Sequence, residues 1–213
     1  MALSPRERVL MAVRGERPDR TPRDFWAETP ALARVLRHTD GSVTRDDRPT
    51  NGNGGRLVDR DGRPTEGGCG EEELLQRLGI DMRHLEAPGP PEHEVGGGVW
   101  QNMWGERYVY RQTPWGPMRE DVKGALSGAE TLGDIEAFPW PSPGSRDHSV
   151  LTAQCDRWDK DALLDGVADI WQRPGLVRGW ERMFLDMACE PEIPHYLSRR
   201  FTDFYLEDYA RAA

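Results

Sequence analysis

Three short runs able to form buried strands, residues 21–26, 80–86 and 162–170, alternate with helical patterns along the chain, and this order constrains the fold more than any other feature. Strands separated by helices pack as parallel α/β layers, because each crossover helix must return the chain to the same edge of the sheet. The helical patterns carry their own punctuation. Ser4-Pro5-Arg6-Glu7 combines a hydroxyl N-cap, Pro at the first helical position and Glu completing a capping box, and predicts a helix to about Arg14 that buries Val9, Leu10 and Val13. Thr29-Pro30 starts a second helix through Leu32, Val35 and Leu36. Glu71-Glu72-Glu73 sets negative charge at the start of a third, which buries Leu74, Leu75 and Leu78 and ends at Gly79.

Toward the C-terminal side, residues 131–137 read as a capped helical turn and 149–159 as a helix. Arg173-Pro174 starts a helix carrying Leu176, Val177, Trp180, Phe184, Leu185 and Met187 as far as Pro191. Within it, Arg178 and Glu181 stand three apart, the spacing of an intrahelical ion pair. A last helix, 192–211, buries Leu197, Phe201, Phe204 and Tyr205.

Two stretches depart from this alternation. Residues 39–70 contain almost no apolar side chains and many Gly, so they cannot offset the entropy of ordering and are expected to form a mobile loop. Asp59-Arg60-Asp61-Gly62 inside it lacks the remaining ligands of a calcium loop and reads as a turn. Residues 99–123 are aromatic and β-branched, interrupted by Trp104-Gly105 and Trp115-Gly116, and predict an inserted antiparallel β element. Its aromatic group, Trp100, Trp104, Tyr108, Tyr110 and Trp115, reads as cross-strand pairing rather than a pocket wall.

A net charge of -9 and the lack of a long Lys/Arg run argue against nucleic acid as a partner. No stretch of about 18 apolar residues and no N-terminal apolar core of a signal peptide occurs, so the chain is expected in the cytoplasm without a membrane partner. Cys69, Cys155 and Cys189 lack the close spacing of a zinc ribbon or redox pair and are expected as free thiols, with no metal ligands among them.

Several segments together resemble the uroporphyrinogen decarboxylase superfamily. They are Ser4-Pro5-Arg6-Glu7-Arg8-Val9-Leu10 with Gly15-Glu16-Arg17-Pro18-Asp19-Arg20-Thr21-Pro22, then Leu78-Gly79-Ile80-Asp81 with Arg83, then Trp104-Gly105. Thr131-Leu132-Gly133-Asp134-Ile135-Glu136-Ala137 with Phe138-Pro139-Trp140-Pro141 follows, and finally Arg178-Gly179-Trp180-Glu181 to Asp186 with Glu190-Pro191-Glu192. The resemblance implies a (β/α)8 TIM barrel, of which 213 residues are expected to supply a single incomplete domain: the first three βα units with the β insertion. It implies a carboxy-lyase acting without a cofactor on a small-molecule substrate, a tetrapyrrole in the parent family. Its other branch is a corrinoid-dependent methyltransferase that uses zinc to activate a thiol, with ligands in the half of the barrel that would follow Ala213. On this reading the chain is a truncated half-barrel with little or no activity alone, or a non-catalytic half that assembles with a separate C-terminal partner or as a homo-oligomer. One departure bears on substrate. Where decarboxylases carry an Arg-rich segment that grips carboxylates, this chain has Phe25-Trp26-Ala27-Glu28, and an acid there repels a polycarboxylate.

Barrel active sites lie at the C-terminal ends of the strands, which selects Asp24, Asp165 and Asp169 as candidate catalytic carboxylates and Trp26, Arg83 and His84 as candidate substrate-binding residues. Asp24 can orient substrate or act as a general acid; its structural alternative is an ion pair with Arg20 or Arg23. His84 can line the pocket or sit satisfied in the core. Asp165 and Asp169 can act as paired carboxylates on one strand face, with an N-cap role the alternative for Asp169.

Overall fold

The structure, a computed structural model, describes residues 2–27, 31, 32, 35, 69–114, 116–166 and 168–213. Apart from 69 and 70, the Gly-rich stretch 39–70 lies outside these residues, as does Trp115. The chain divides into two compact units. The first comprises Met1–Leu85, Gln112–Met118 and Thr152–Asp165, and the second Glu86–Arg111, Arg119–Leu151 and Gly166–Ala213.

In the first unit, α1 (Pro5–Val13) starts as its sequence requires: Ser4 accepts from the Glu7 backbone N–H at 3.2 Å, and the Glu7 side chain returns a bond to the Ser4 N–H at 2.8 Å. Helix α2 (Cys69–Leu78) buries Leu74 beside Leu32, with Phe25, Ala27 and Val35 packed around them. Gly79, at φ 63°, ends it in the left-handed region that favours glycine. Strand β1 (Met82–Leu85) follows at once and pairs in parallel with a later strand, β6 (Ala162–Asp165), in the register Met82 to Ala162 and Leu85 to Asp165. Helix α4 (Leu151–Arg157) leads into β6.

The second unit holds most of an antiparallel sheet in the order β2 (His93–Gly96), β3 (Val99–Gln101), β4 (Arg107–Thr113) and β5 (Gly116–Lys123), the end of β4 and the start of β5 being assigned to the first. The short helix α3 (Leu132–Glu136) has the Thr131–Asp134 capping box. Helices α5 (Gln172–Arg178), α6 (Trp180–Cys189) and α7 (Glu192–Ala212) complete it. The buried positions of α7, Ile193, Leu197, Phe201, Phe204 and Tyr205, recur at helical spacing and form the core with Trp104, Leu126, Ile135, Val177 and Met183. Trp104 lies 4.9 Å from Phe201 and 4.7 Å from Phe204 between ring centroids, so this aromatic serves the core rather than a hairpin pair.

The expected partial TIM barrel is not the architecture. Among the described residues, β1 and β6 form a two-stranded parallel sheet and β2–β5 a separate antiparallel one, with no run of βα units. The reason lies in residues 21–26, which do not form a strand. They receive one backbone hydrogen bond at the edge of β1, from the Asp81 N–H to the Arg23 carbonyl at 2.9 Å. The Arg23 N–H is taken by the Asp81 carboxylate at 2.8 Å, and Pro22 has no N–H to give. The ladder therefore stops after one bond.

The third expected strand is also shorter. It ends at Asp165, because Gly166 turns the chain at φ 55°. The single helix expected from Arg173 breaks into α5 and α6 at Gly179, φ 85°. Arg178 does not pair with Glu181. Its guanidinium is fully buried, donates to Asp186 at 2.6 Å, and reaches the carbonyls of Leu126 at 2.6 Å and Ala129 at 2.8 Å.

Candidate functional site

The site is organised from a buried carboxylate outward. Asp81, immediately before β1, is fully buried and is the acceptor at the centre of an arginine cluster. Arg8 of α1 donates to it at 2.5 Å, Arg20 at 2.6 and 2.8 Å, and the Arg23 backbone at 2.8 Å. Arg8 also holds Asp19 at 2.6 and 2.9 Å. Burial pushes the Asp81 carboxyl up, but the hydrogen bonds from Arg20, Arg23 and Arg8 outweigh it and hold it below its ordinary range. Asp19, bonded chiefly by Arg8, is lowered to about 2.

This cluster fixes the backbone of residues 20–23, and the next residue is Asp24. Its Oδ1 accepts from its neighbour Phe25 N–H at 2.8 Å, which sets the carboxylate's orientation. His84 stands on β1, and its Nε2 lies 3.0 Å from Asp24 Oδ1 and 3.2 Å from Oδ2. The side chains are 44% and 39% exposed, respectively, so the pair is open to a ligand. Trp26, two residues beyond Asp24, is 72% exposed. The parallel register puts Leu164 beside His84 on the same sheet face, where it too is partly exposed.

A carboxylate beside one ring nitrogen fixes the imidazole's orientation. The other nitrogen, Nδ1, remains to give or take a proton. The arrangement is thus able to move one proton at a fixed position.

The other candidates occupy different places. Arg83 alternates to the opposite face of β1 from His84 and is buried, donating to Glu72 at 2.8 and 3.0 Å and to the carbonyls of Met82 and Ile80. Trp158 Nε1 donates to the same Glu72 at 3.1 Å. Asp165, across from Leu85, shares the Arg83 face rather than that of His84. Asp169 belongs to the second unit, where it accepts from the Arg173 N–H at 2.9 Å at the start of α5. Asp165 and Asp169 are separated by the Gly166 turn and do not share a strand face.

The sequence reading missed Arg8, Arg20 and Asp81 as the groups that position Asp24. The signal available was Asp81 itself, an acid between the apolar Ile80 and Met82 at the start of a strand, where a charge is buried only with partners.

Zinc is held by three or four close N, S or O ligands. Among the described residues no group of three or more His, Cys, Asp or Glu side chains is placed to hold a metal ion. Cys155 and Cys189 are free thiols. No helix among the described residues is long and apolar enough to cross a membrane. No family model, no curated protein and no solved structure matches the chain.

Proposed function

We propose that the chain is a uroporphyrinogen decarboxylase-like protein of the carboxy-lyase class, with Asp24 and His84 as its proton-handling pair. The observation that carries this reading is the contact of His84 Nε2 with both oxygens of Asp24 at 3.0 and 3.2 Å, with an exposed Trp26 two residues along the chain. The ordered motifs from Ser4 to Glu192 support the same class.

In this mechanism the substrate's ring stacks on Trp26 and its carboxylate faces the dyad. The C–C bond to the carboxylate breaks, carbon dioxide leaves, and the electron pair stays on carbon, delocalised into the substrate's own ring. That carbon takes a proton from Nδ1 of the His84 imidazolium, the nitrogen turned away from Asp24. Asp24 keeps the ring oriented and stabilises its charge, and solvent returns the proton. Because the pair is half-exposed, water screens its charges and turnover is slow.

The test is release of labelled carbon dioxide from a pyrrole bearing a single labelled acetate carboxyl, since the Phe25-Trp26-Ala27-Glu28 segment repels a polycarboxylate. The intact chain is expected to exceed the protein-free blank. H84Q and D24N each remove about 10²-fold or more of the excess, the range for a positioned acid–base group. Release by the intact chain no greater than the blank, or equal release by both variants, overturns the reading.

A further inference from the structure

Charge is unevenly placed along this acidic chain: residues 1–23 carry six arginines against three acids, in a molecule of net charge -9. Arg17 and Arg20 line a cleft of about 430 Å³ within the first unit, where the chain leaves α1. Gly15, at φ 76°, makes the turn, its N–H donating to the Ala12 carbonyl at 3.0 Å and the Glu16 N–H to that of Met11 at 2.9 Å. Ala12, Pro18 and Pro22 supply the apolar part of the wall, and the ring-locked φ of the two prolines preforms it. The volume falls in the range of small-molecule sites, roughly 300–1,000 Å³.

We infer that this cleft is a binding site for a small phosphomonoester. Most of the Arg20 guanidinium is engaged, by Asp81 at 2.6 and 2.8 Å and by the Thr21 and Gly79 carbonyls at 3.1 and 3.0 Å. Its Nε–H, in a side chain 34% exposed, makes no bond to another described residue. The exposed Arg17 makes no side-chain hydrogen bond or ion pair with one either. Two guanidiniums with donors still to give therefore line one cleft.

The acids of the wall do not cancel them. Asp19 is taken by Arg8 at 2.6 and 2.9 Å, which leaves Glu16 as the wall carboxylate with no partner among the described residues. Residues 14–23 hold four arginines against two acids, so the field there attracts anions. A phosphomonoester carries about 1.5 to 2 negative charges at neutral pH and has terminal oxygens enough to share between Arg17 and Arg20, which a single carboxylate lacks. Its organic body covers Ala12 and the two prolines, a gain that free phosphate does not make.

Titration calorimetry of the intact chain with glycerol 3-phosphate tests this directly, with inorganic phosphate and acetate as comparisons. One equivalent of the ester is expected to bind, more tightly than either comparison and less tightly as salt rises. R17Q is expected to weaken binding about 10-fold, as the loss of a charged hydrogen bond does. E16Q is expected to tighten it by about 2–5-fold, by removing the opposing charge. R14Q, whose arginine does not line the cleft, is expected to change it by less than about 2-fold. All three side chains are exposed, so the circular dichroism spectra stay unchanged. No binding of the ester at about 10 mM, inorganic phosphate binding as tightly, or R14Q weakening binding as much as R17Q overturns the proposal. None of these readouts depends on carbon dioxide release.

Discussion

At Asp81, Arg178 and Asp186 the molecule buries full charges, and each is satisfied by several donors or acceptors. Two charges taken from water lose several kcal/mol each, so removing one partner is far more damaging than the net worth of the pair. Asp186→Ala is therefore expected to destabilise the second unit by about 3–5 kcal/mol, by stranding the fully buried Arg178. Denaturant melts check this; a loss under about 1 kcal/mol contradicts it. Gly124 gives a steric counterpart, because a Cβ there would lie 2.5 Å from the Val177 carbonyl and 2.8 Å from the Gly179 N–H. Gly124→Ala must push the α5–α6 junction apart and is expected to lower stability by about 1–3 kcal/mol. Asp24 and His84 were legible in the sequence as candidates, since each falls beside a strand end. Their pairing was not, because it depends on Asp81 gripping the backbone of residues 20–23 across roughly 60 residues of chain. Arg83 looked equally available, yet strand alternation turns it to the opposite face.

Among the elements, those whose ends carry local chemistry were readable. Ser4, Pro5 and Glu7 specify the start of α1, and Thr131 with Asp134 that of α3, because a capping box is satisfied within four residues. Ser4→Ala is expected to cost about 1 kcal/mol, measurable as a lower melting temperature. The long last helix was equally clear, since its apolar residues recur every three to four positions over 21 residues. What misled was strand length and helix continuity. An extended run becomes a strand only if a neighbour accepts a ladder, and residues 21–26 offer Pro22 and an Arg23 N–H already taken by Asp81. Gly179 is compatible with helix in sequence alone; its left-handed φ arises where the chain meets the 124–129 turn, through Leu126 N–H to the Val177 carbonyl at 2.9 Å.

For the whole molecule, acid sensitivity follows from the carboxylates that serve these clusters. Asp19, Asp81 and Glu72 are all lowered in the fold: Asp19 by Arg8, and the other two because their hydrogen bonds outweigh burial. A group with a depressed folded value binds its proton more readily when unfolded, so its stabilisation is complete above the unfolded value and disappears as pH falls toward the folded one. For Asp19 that window runs from the ordinary 3.8 down to about 2. Asp161 is raised by burial and acts in the opposite sense, so it offsets part of the loss. Melting temperature is therefore expected to fall steeply below pH 4 and to change little from pH 6 to 8; a flat profile down to pH 3 contradicts the clusters' role.

The overall architecture, a parallel strand pair and a separate antiparallel sheet, was the least legible level. Alternating elements suggest which segments can become strands, while the partners that make them so are set by contacts distant in sequence. The central claim is that Asp24 and His84 act as one proton-handling unit, and a double-mutant cycle on carbon dioxide release tests it most directly. If they do, D24N/H84Q is no slower than the slower single variant, because residues acting together are non-additive. If the two losses multiply, the groups work independently and the account of the site is wrong.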